Sequence, residues 1–258
     1  MKYLATILEE KRREVLALKQ ARPLARYLDV ASSLSPCRGF ARALQGEGFS
    51  IRLIAEVKKA SPSRGVIVEN FDPVRIALAY EALGASALSV LTDRQFFQGS
   101  AEYLQQVSAA VSLPLLRKDF IIDELQIFES RLMGADAILL IVAALEPPQI
   151  RDYLKMAGEI GLDVLVEVHD RHELSVAIES GAEVVGVNNR NLKDFSVDPA
   201  TSAALRPFFP PGVVAVSESG LKTAADIALV RDAGFDAVLI GEGLQVSSEL
   251  SDLSWPNS

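Results

Sequence analysis

The sequence predicts an α/β protein: a (β/α)8 barrel of the TIM type carrying an N-terminal helical extension. Three features predict it. Eight short apolar runs rich in Val, Ile and Leu follow one another about 26 residues apart, alternating with helical stretches. The chain re-enters these runs through a recurring glycine pattern. Seven of the eight runs end in polar residues or glycine.

Residues 1–19 form an amphipathic helix, with Leu4, Ile7, Leu8, Val15 and Leu18 on one face and Glu9, Arg12 and Arg13 off it. "SLSPCRGF" at 33–40 has the composition of a loop, and a short helix over Phe40–Leu44 ends near Gly46. The eight runs are Ile51–Val57, Ala87–Leu91, Pro114–Leu116, Ala137–Val142, Val164–Val168, Val184–Val187, Val213–Val216 and Ala237–Ile240. Runs apolar on both faces mark parallel strands covered by helices.

Helix boundaries fall between the runs. Asp72-Pro73 supplies an N-cap and a proline at the first helical position. Asp123 with Gln126, Asp170 with Glu173, and Thr223 with Asp226 have capping-box spacing. "GASAL" at 84, "GADAI" at 134, "GLDVL" at 161, "GAEVV" at 181 and "GFDAV" at 234 close a helix and open a strand, with glycine suited to the left-handed C′ position. A doubly wound open sheet is the competing architecture, but no G-x-G-x-x-G follows the first run. The expected organisation is one domain, 1–258. Residues 1–50 form a helical extension packed on a barrel of residues 51–258.

Composition narrows the function. The 258-residue chain has a net charge of −8, 49% hydrophobic and 23% charged residues, which suits a globular protein and argues against nucleic-acid or anionic-membrane partners. Cys37 is the only cysteine, so no intrachain disulfide is possible, and no Cys/His cluster has metal-ligand spacing. The N-terminus is charged within ten residues, unlike a secretory signal, and the longest apolar runs, such as 137–145, are too short to span a membrane. A cytoplasmic location follows as an expectation.

Active groups of such barrels sit at the C-terminal ends of the strands. Those ends carry Glu56 and Lys58; Thr92 and Asp93; Lys118 and Asp119; Glu167 and His169; Asn188, Asn189 and Arg190; Ser217, Glu218, Ser219 and Gly220; and Gly241, Glu242 and Gly243. The fourth run ends apolar, at Val142. Period-two alternation puts Glu56 and Lys58 in phase with Ile54, Lys118 with Leu116, and Glu167 with Leu165, so these charges are expected to face the barrel axis and neutralise one another. A strand-end Lys or Glu is ordinarily a solvated loop residue or ion pair. Asp93 and Asp119 fit residues that orient neighbouring lysines. His169 and His172 fit surface or helix-start positions, and Arg64 fits loop charge. Glu218 reads either as a working carboxylate or as a partner of Lys58. The glycines after runs seven and eight allow backbone N–H groups to approach an anion, a frequent phosphate site in these barrels. Together these point to a phosphorylated small substrate worked on by lysines and carboxylates.

Seven motifs in order, "IAEVKKASPSRG" (54–65), "LSVLTDRQFFQGS" (88–100), "LLRKDFIIDELQI" (115–127), "LVEVHD" (165–170), "GVNNRNL" (186–192), "VSESG" (216–220) and "LIGEGL" (239–244), resemble the indole-3-glycerol-phosphate synthase family over nearly the whole chain. The related phosphoribosylanthranilate isomerases share the fold but are not expected to carry the "KKASPS" and "RKDF" set. The resemblance implies ring closure, decarboxylation and dehydration of 1-(2-carboxyphenylamino)-1-deoxyribulose 5-phosphate, with no cofactor or metal. It implies Lys118 as general acid, Glu167 as the acid/base carboxylate, and Glu56 and Lys58 as a supporting pair. It also places Asn188 and Glu218 in the catalytic site. Arg190 and Ser61 line the anthranilate side, and Phe97 and Phe120 pack on the ring. Ser219, Gly220, Gly241 and the backbone of Glu242 cradle the phosphate. It specifies no association with other tryptophan-pathway enzymes. Where the family often has Ser or Ala followed by Leu-Met, this chain has Gly243-Leu244-Gln245, a change expected to loosen the last helix and weaken phosphate binding. Two other readings use the same residues: a Schiff-base aldolase with Lys118 as nucleophile, and a barrel that binds a phosphorylated metabolite or a partner without turnover.

Overall fold

The computed structural model describes residues 2–21, 34–46, 50–62, 64–191, 196–246, 248–251, 253 and 255. Ser63 and Leu192 of the quoted motifs, and part of the C-terminal tail, lie outside the described residues.

Eight parallel strands close into a barrel in the order β1-β8-β7-β6-β5-β4-β3-β2. They are β1 (Arg52–Val57), β2 (Ala87–Leu91), β3 (Leu115–Lys118), β4 (Ala137–Ile141), β5 (Asp163–Val168), β6 (Val184–Asn188), β7 (Val214–Glu218) and β8 (Ala237–Ile240). Closure is made by β1 pairing with β2 on one side and with β8 on the other, with Ala55 opposite Leu88 and Ile240 respectively. β3 and β7 run past the apolar stretches into Lys118 and Glu218. The apolar runs stop at Leu116 and Val216, but the strands continue by two residues, and the side chains they end on, Lys118 and Glu218, turn inward and meet one another.

Among the described residues two helices precede the barrel, α1 (Lys2–Ala21) and α2 (Phe40–Leu44). The helices of the barrel itself are α3 (Pro73–Ala82), α4 (Ala101–Ala110), α5 (Glu124–Leu132), α6 (Pro147–Glu159), α7 (Arg171–Glu179), α8 (Ala200–Leu205) and α9 (Ala224–Asp232). Two short helices follow, α10 (Glu242–Val246) and α11 (Ser248–Ser251). Asp72 caps α3 with Pro73 in its first turn, and reciprocal boxes form at Asp123/Gln126 and Thr223/Asp226. At α7 only half of the expected box exists. The Asp170 side chain accepts from Glu173 N, while the Glu173 carboxylate is engaged by His169. Gly84, Gly134, Gly161, Gly181 and Gly234 all have φ between 79° and 95°, the left-handed region assigned to them by the re-entry pattern. Residues read as loop after β1 hold a two-residue antiparallel ladder, Ala60–Ser61 with Gly65–Val66.

Alternation along each strand separates two cores. Leu53, Ala55 and Val57 pack outward against the helices with Leu88, Val90 and Ile138. Ile54, Leu116, Leu139, Leu165, Val216 and Leu239 fill the barrel axis. Phe40 and Leu44 of α2 are fully buried in that inner core. Ala41 N donates to Asp163 Oδ2 at 2.8 Å, and Arg38 pairs with Asp136. Both acceptors stand where a strand begins, so α2 closes the N-terminal end of the barrel. α1 goes to the opposite end. Its Ile7 joins the inner core, Leu18 packs on Leu125 and Phe128 of α5, and Lys19 pairs with Asp123.

Candidate active site

A cavity of about 640 Å³ opens at the C-terminal ends of the strands. Every residue singled out for chemistry or binding lines it: Glu56, Lys58, Ser61, Phe97, Lys118, Phe120, Glu167, Asn188, Arg190, Glu218, Ser219, Gly220, Gly241 and Glu242. The inward phase of β1, β3, β5 and β7 is what brings the charged members together.

At the floor, Lys118 Nζ lies 3.1 Å from Glu167 Oε2 and 2.5 Å from Glu218 Oε2. Lys58 pairs with Glu56. Glu218 therefore partners Lys118 rather than Lys58. These groups tune one another. Burial would lower Lys118, but Glu218, Glu167 and Glu56 hold it well above the ordinary lysine range. Burial would raise Glu167, but Lys118, His169 and the Asn188 side chain hold it below the usual carboxylate range. Burial pushes Glu218 up to about 7, with Lys118 opposing and Glu167 adding to the rise. One carboxylate thus stays ionised at neutral pH while the other sits near its midpoint, the divergence expected of an acid/base pair.

β3 divides its side chains sharply. Lys118 points inward, while Arg117 and Asp119 point outward and tie the strand end in place. Thr92 Oγ1 donates to Asp119 Oδ2 at 2.5 Å, and Arg117 reaches Thr92 Oγ1, Asp119 and Glu129. Asp119 and Asp93 do orient a lysine, but it is Lys11 of α1, at 2.8 and 2.9 Å. Asp93 Oδ1 accepts from Phe96 N and Phe97 N, and Asp119 Oδ1 from Phe120 N. Lys11 thereby secures the two loops that carry the aromatic wall, where Phe97 and Phe120 stand with ring centroids 6.4 Å apart.

On the other side of the rim, Ser219 and Gly220 turn sharply after β7 with φ of 66° and 82°. Positive φ at a serine is strained backbone held by its surroundings. Arg64, expected as free loop charge, reaches across to Glu242 Oε1 at 2.7 Å. That turns the Glu242 carboxylate toward Arg64 and leaves its backbone beside Gly241. A Cβ at Gly241 would lie 2.5 Å from Glu56 Oε1, so this glycine also makes room for the Glu56–Lys58 pair. Gly243 packs tightly: a Cβ there would meet Leu221 O at 2.6 Å and Leu250. Its bare backbone lets the start of α10 approach the loop after β7, in place of the loosening expected from glycine.

Four participants have roles that the strand ends did not reveal, although Asn189 and His169 stand at those ends. Asn189 turns away from the cavity: its amide bonds Ser217, Ser219 O and Ser202, fixing the loop after β6 to α8 and to the end of β7. Lys11 sits on the apolar stripe of α1, four residues after Ile7 and four before Val15, and that position was its signal. His169 is not a surface residue; it is wedged between Glu167 and Glu173, whereas His172 is exposed. Gly186 of "GVNN" opens space for Glu218, since a Cβ there would overlap Glu218 Oε1 and crowd Leu165. Gly186→Ala is expected to displace the Glu218 carboxylate and lower kcat by about 10²-fold, as misplacement of a working group by about 1 Å does. Steady-state kinetics of the folded variant reads this directly, and an unchanged kcat would show that Glu218 need not occupy this position.

A family model described as indole-3-glycerol phosphate synthase matches residues 4–253. The chain is similar to indole-3-glycerol phosphate synthases of Chlorobium phaeovibrioides (88% identity over 258 residues, 100% of both chains) and Chlorobium luteolum (76%, 100% of this chain and 98% of that one). It is similar also to that of Chlorobaculum tepidum, at 59% over 99% of this chain and 100% of that one. Among solved structures, the N-acetylmannosamine-6-phosphate 2-epimerase of Clostridium perfringens superposes with a TM-score of 0.60 at 13% identity, covering 79% of this chain and 89% of that one. At that identity the likeness concerns the fold alone.

Proposed function

The chain belongs to the indole-3-glycerol phosphate synthase family, and on that premise we propose how its rim residues divide the work. The enzyme is a carboxy-lyase of tryptophan biosynthesis. It converts 1-(2-carboxyphenylamino)-1-deoxyribulose 5-phosphate to indole-3-glycerol phosphate by ring closure, loss of carbon dioxide and loss of water.

In our reading Lys118 protonates the ketose carbonyl oxygen as the ring carbon attacks. The observation that carries this is the Lys118 ammonium held between two buried carboxylates at the cavity floor. The ammonium is fully charged before the reaction, so the proton is always in place. Once Lys118 gives up that proton, Glu167 and Glu218 lose their shared cation and become stronger bases. That gain arrives when protons must leave the cyclised intermediate. Glu167 takes that role and Asn188 steadies it; Glu218, part-protonated near its midpoint, passes its own proton to Lys118, and solvent then reprotonates Glu218 while Glu167 releases the proton it took. Glu56 and Lys58 support the second half of the reaction, with Lys58 placed to protonate the departing hydroxyl or hold the substrate. Phe97 and Phe120 pack on the aromatic ring, and Arg190 and Ser61 hold its carboxylate. Ser219, Gly220, Gly241 and the Glu242 backbone receive the phosphate.

The same electrostatics weigh against the aldolase reading, because a Schiff-base lysine must be neutral to attack and Lys118 is held protonated. We further propose that residues 1–50 and the barrel act as one domain, since the extension reaches both ends of the barrel. A cytoplasmic location and the absence of a nucleic-acid partner are supported by the biosynthetic role and the net charge of −8. Among the described residues no helix is long and apolar enough to cross a membrane.

Mixing the protein with its substrate should give a steady rise of indole fluorescence. Glu167→Gln should reduce that rate by about 10²–10⁴-fold, the usual contribution of a positioned acid/base. A Glu167→Gln enzyme with undiminished turnover would remove Glu167 from its role.

A further inference from the structure

His169 has no task in the mechanism above. It stands two residues beyond Glu167 at the end of β5, with its side chain 14% exposed. Its Nε2 lies 3.4 Å from Glu167 Oε1, and its Nδ1 lies 3.0 Å from Glu173 Oε2. The same Glu173 oxygen accepts the backbone N–H of His169 at 2.8 Å. Glu173 belongs to the first turn of α7, which Asp170 caps. The ring therefore bridges a rigid helix start to a carboxylate at the cavity floor.

Both ring nitrogens face a carboxylate oxygen. A neutral imidazole has one N–H and one lone pair, so one of the two contacts would set a lone pair against a carboxylate. Only the imidazolium sets a positively charged N–H toward both carboxylates, as a hydrogen bond to Glu173 and as a looser ion pair with Glu167, whose 3.4 Å contact lacks hydrogen-bond geometry. The titratable groups facing the ring are Glu167 from β5 and Glu173 from α7. Beyond Glu167 stands Lys118 of β3, on the other carboxylate oxygen, and the Asn188 side chain of β6 is among the groups that lower Glu167. In agreement, burial would lower His169, but bonding and attraction to Glu167 and Glu173 raise it to about 10.

We propose that His169 is a positioning residue of this reaction, a cation anchored by Glu173 that fixes one oxygen of Glu167 so that the other faces Lys118. The inference rests on Glu167 being the working carboxylate. Lys118 loses its charge when it donates its proton, whereas His169 does not. Glu167 thus keeps one fixed cation throughout the cycle, and its plane stays set while its basicity changes.

The chain has two histidines, so their imidazole resonances are separable in the untagged protein. The exposed His172 serves as an internal comparison. The His169 ring is expected to stay protonated at pH 8, and Glu167→Gln should lower its midpoint by about one pH unit or more. His169→Asn keeps a hydrogen-bond donor but not the charge. It is expected to lower kcat by about 10–100-fold, the usual effect of removing an orienting partner, with KM changed less than about threefold. Glu173→Gln should lower kcat by less than His169→Asn does. A ring that loses its proton below pH 7, or a folded His169→Asn enzyme with wild-type kcat, would overturn the proposal. Should His169→Asn fail to fold, the titration in the wild-type protein decides. A fully active Glu167→Gln enzyme overturns the role of Glu167 itself. An inactive Glu167→Gln beside a fully active His169→Asn overturns only the role of His169.

Discussion

Alanine at Lys118 is expected to lower kcat by about 10²–10⁴-fold while the substrate still binds, because in the proposed mechanism the residue supplies a proton rather than an anchor. Steady-state fluorescence gives kcat, and calorimetric titration with substrate gives the affinity. The variant also has a stability signature that a mere lost contact would not have. Glu167 and Glu218 are 2% and 1% exposed, and without the ammonium between them each raises the pKa of the other. A carboxyl whose folded pKa lies above its unfolded value stabilises the protein at low pH, and that contribution is lost as pH rises through the folded pKa. Glu218 already behaves this way, at about 7. Glu167 behaves oppositely in the wild type: its depressed pKa contributes stability above the ordinary carboxylate range, lost as pH falls below it. Removing Lys118 reverses the sign for Glu167. At neutral pH the variant should be destabilised by about 3–5 kcal/mol, the cost of leaving a buried partner unpaired, and the deficit should shrink toward pH 5. Wild-type turnover in Lys118→Ala would end its role as acid, and loss of binding along with turnover would make it an anchor.

Much of this site was legible before the fold was known. The reason is geometric: a closed parallel barrel sends alternate residues to the axis and collects its strand ends on one rim. Knowing the phase of Ile54, Leu116 and Leu165 was enough to bring Glu56, Lys118 and Glu167 together. Helix boundaries were legible because caps and C′ glycines act locally, within a few residues. Two of the residues that escaped, Lys11 and Gly186, act at long range, and a third, His169, was hidden by a competing local pattern. Lys11 meets acceptors more than eighty residues away, and nothing near it in sequence marks them. His169 looked like a helix-start residue because the carboxylate that claims it, Glu173, also fits a capping box with Asp170. The structure shows that Glu173 serves the histidine instead. Gly186 reads as an ordinary strand glycine until Glu218, thirty-two positions on, is known to lie against it.

A loss of stability as large as that at Lys118 is expected from Lys11→Met. Lys11 is 1% exposed and lies 2.7–2.9 Å from Glu14, Asp93 and Asp119. Burial would lower it, but the two aspartates hold it above the usual lysine range, and Asp119 is held below the ordinary carboxylate range by Lys11 and Arg117 against its own burial. Methionine fills the stem but leaves two buried carboxylates with less countercharge. Asp119 keeps Arg117 and Thr92; Asp93 keeps the Phe96 and Phe97 N–H groups. The expected cost is about 3–5 kcal/mol, a large share of the 5–15 kcal/mol that about holds a domain together, read as a fall in the urea midpoint. Asp119's depressed pKa contributes stability above the ordinary aspartate range that is lost as pH falls, so the gap between wild type and variant should narrow on acidification. Adding Asp93→Asn to Lys11→Met should recover part of the loss, since a neutral amide no longer needs the cation. The effect should reach the reaction as well. Phe97 and Phe120 hang on the loops that Lys11 secures, so KM should rise more than kcat falls. A Lys11→Met enzyme with the wild-type midpoint and KM would mean that the barrel orders its own rim, and that the N-terminal helix only rests upon it.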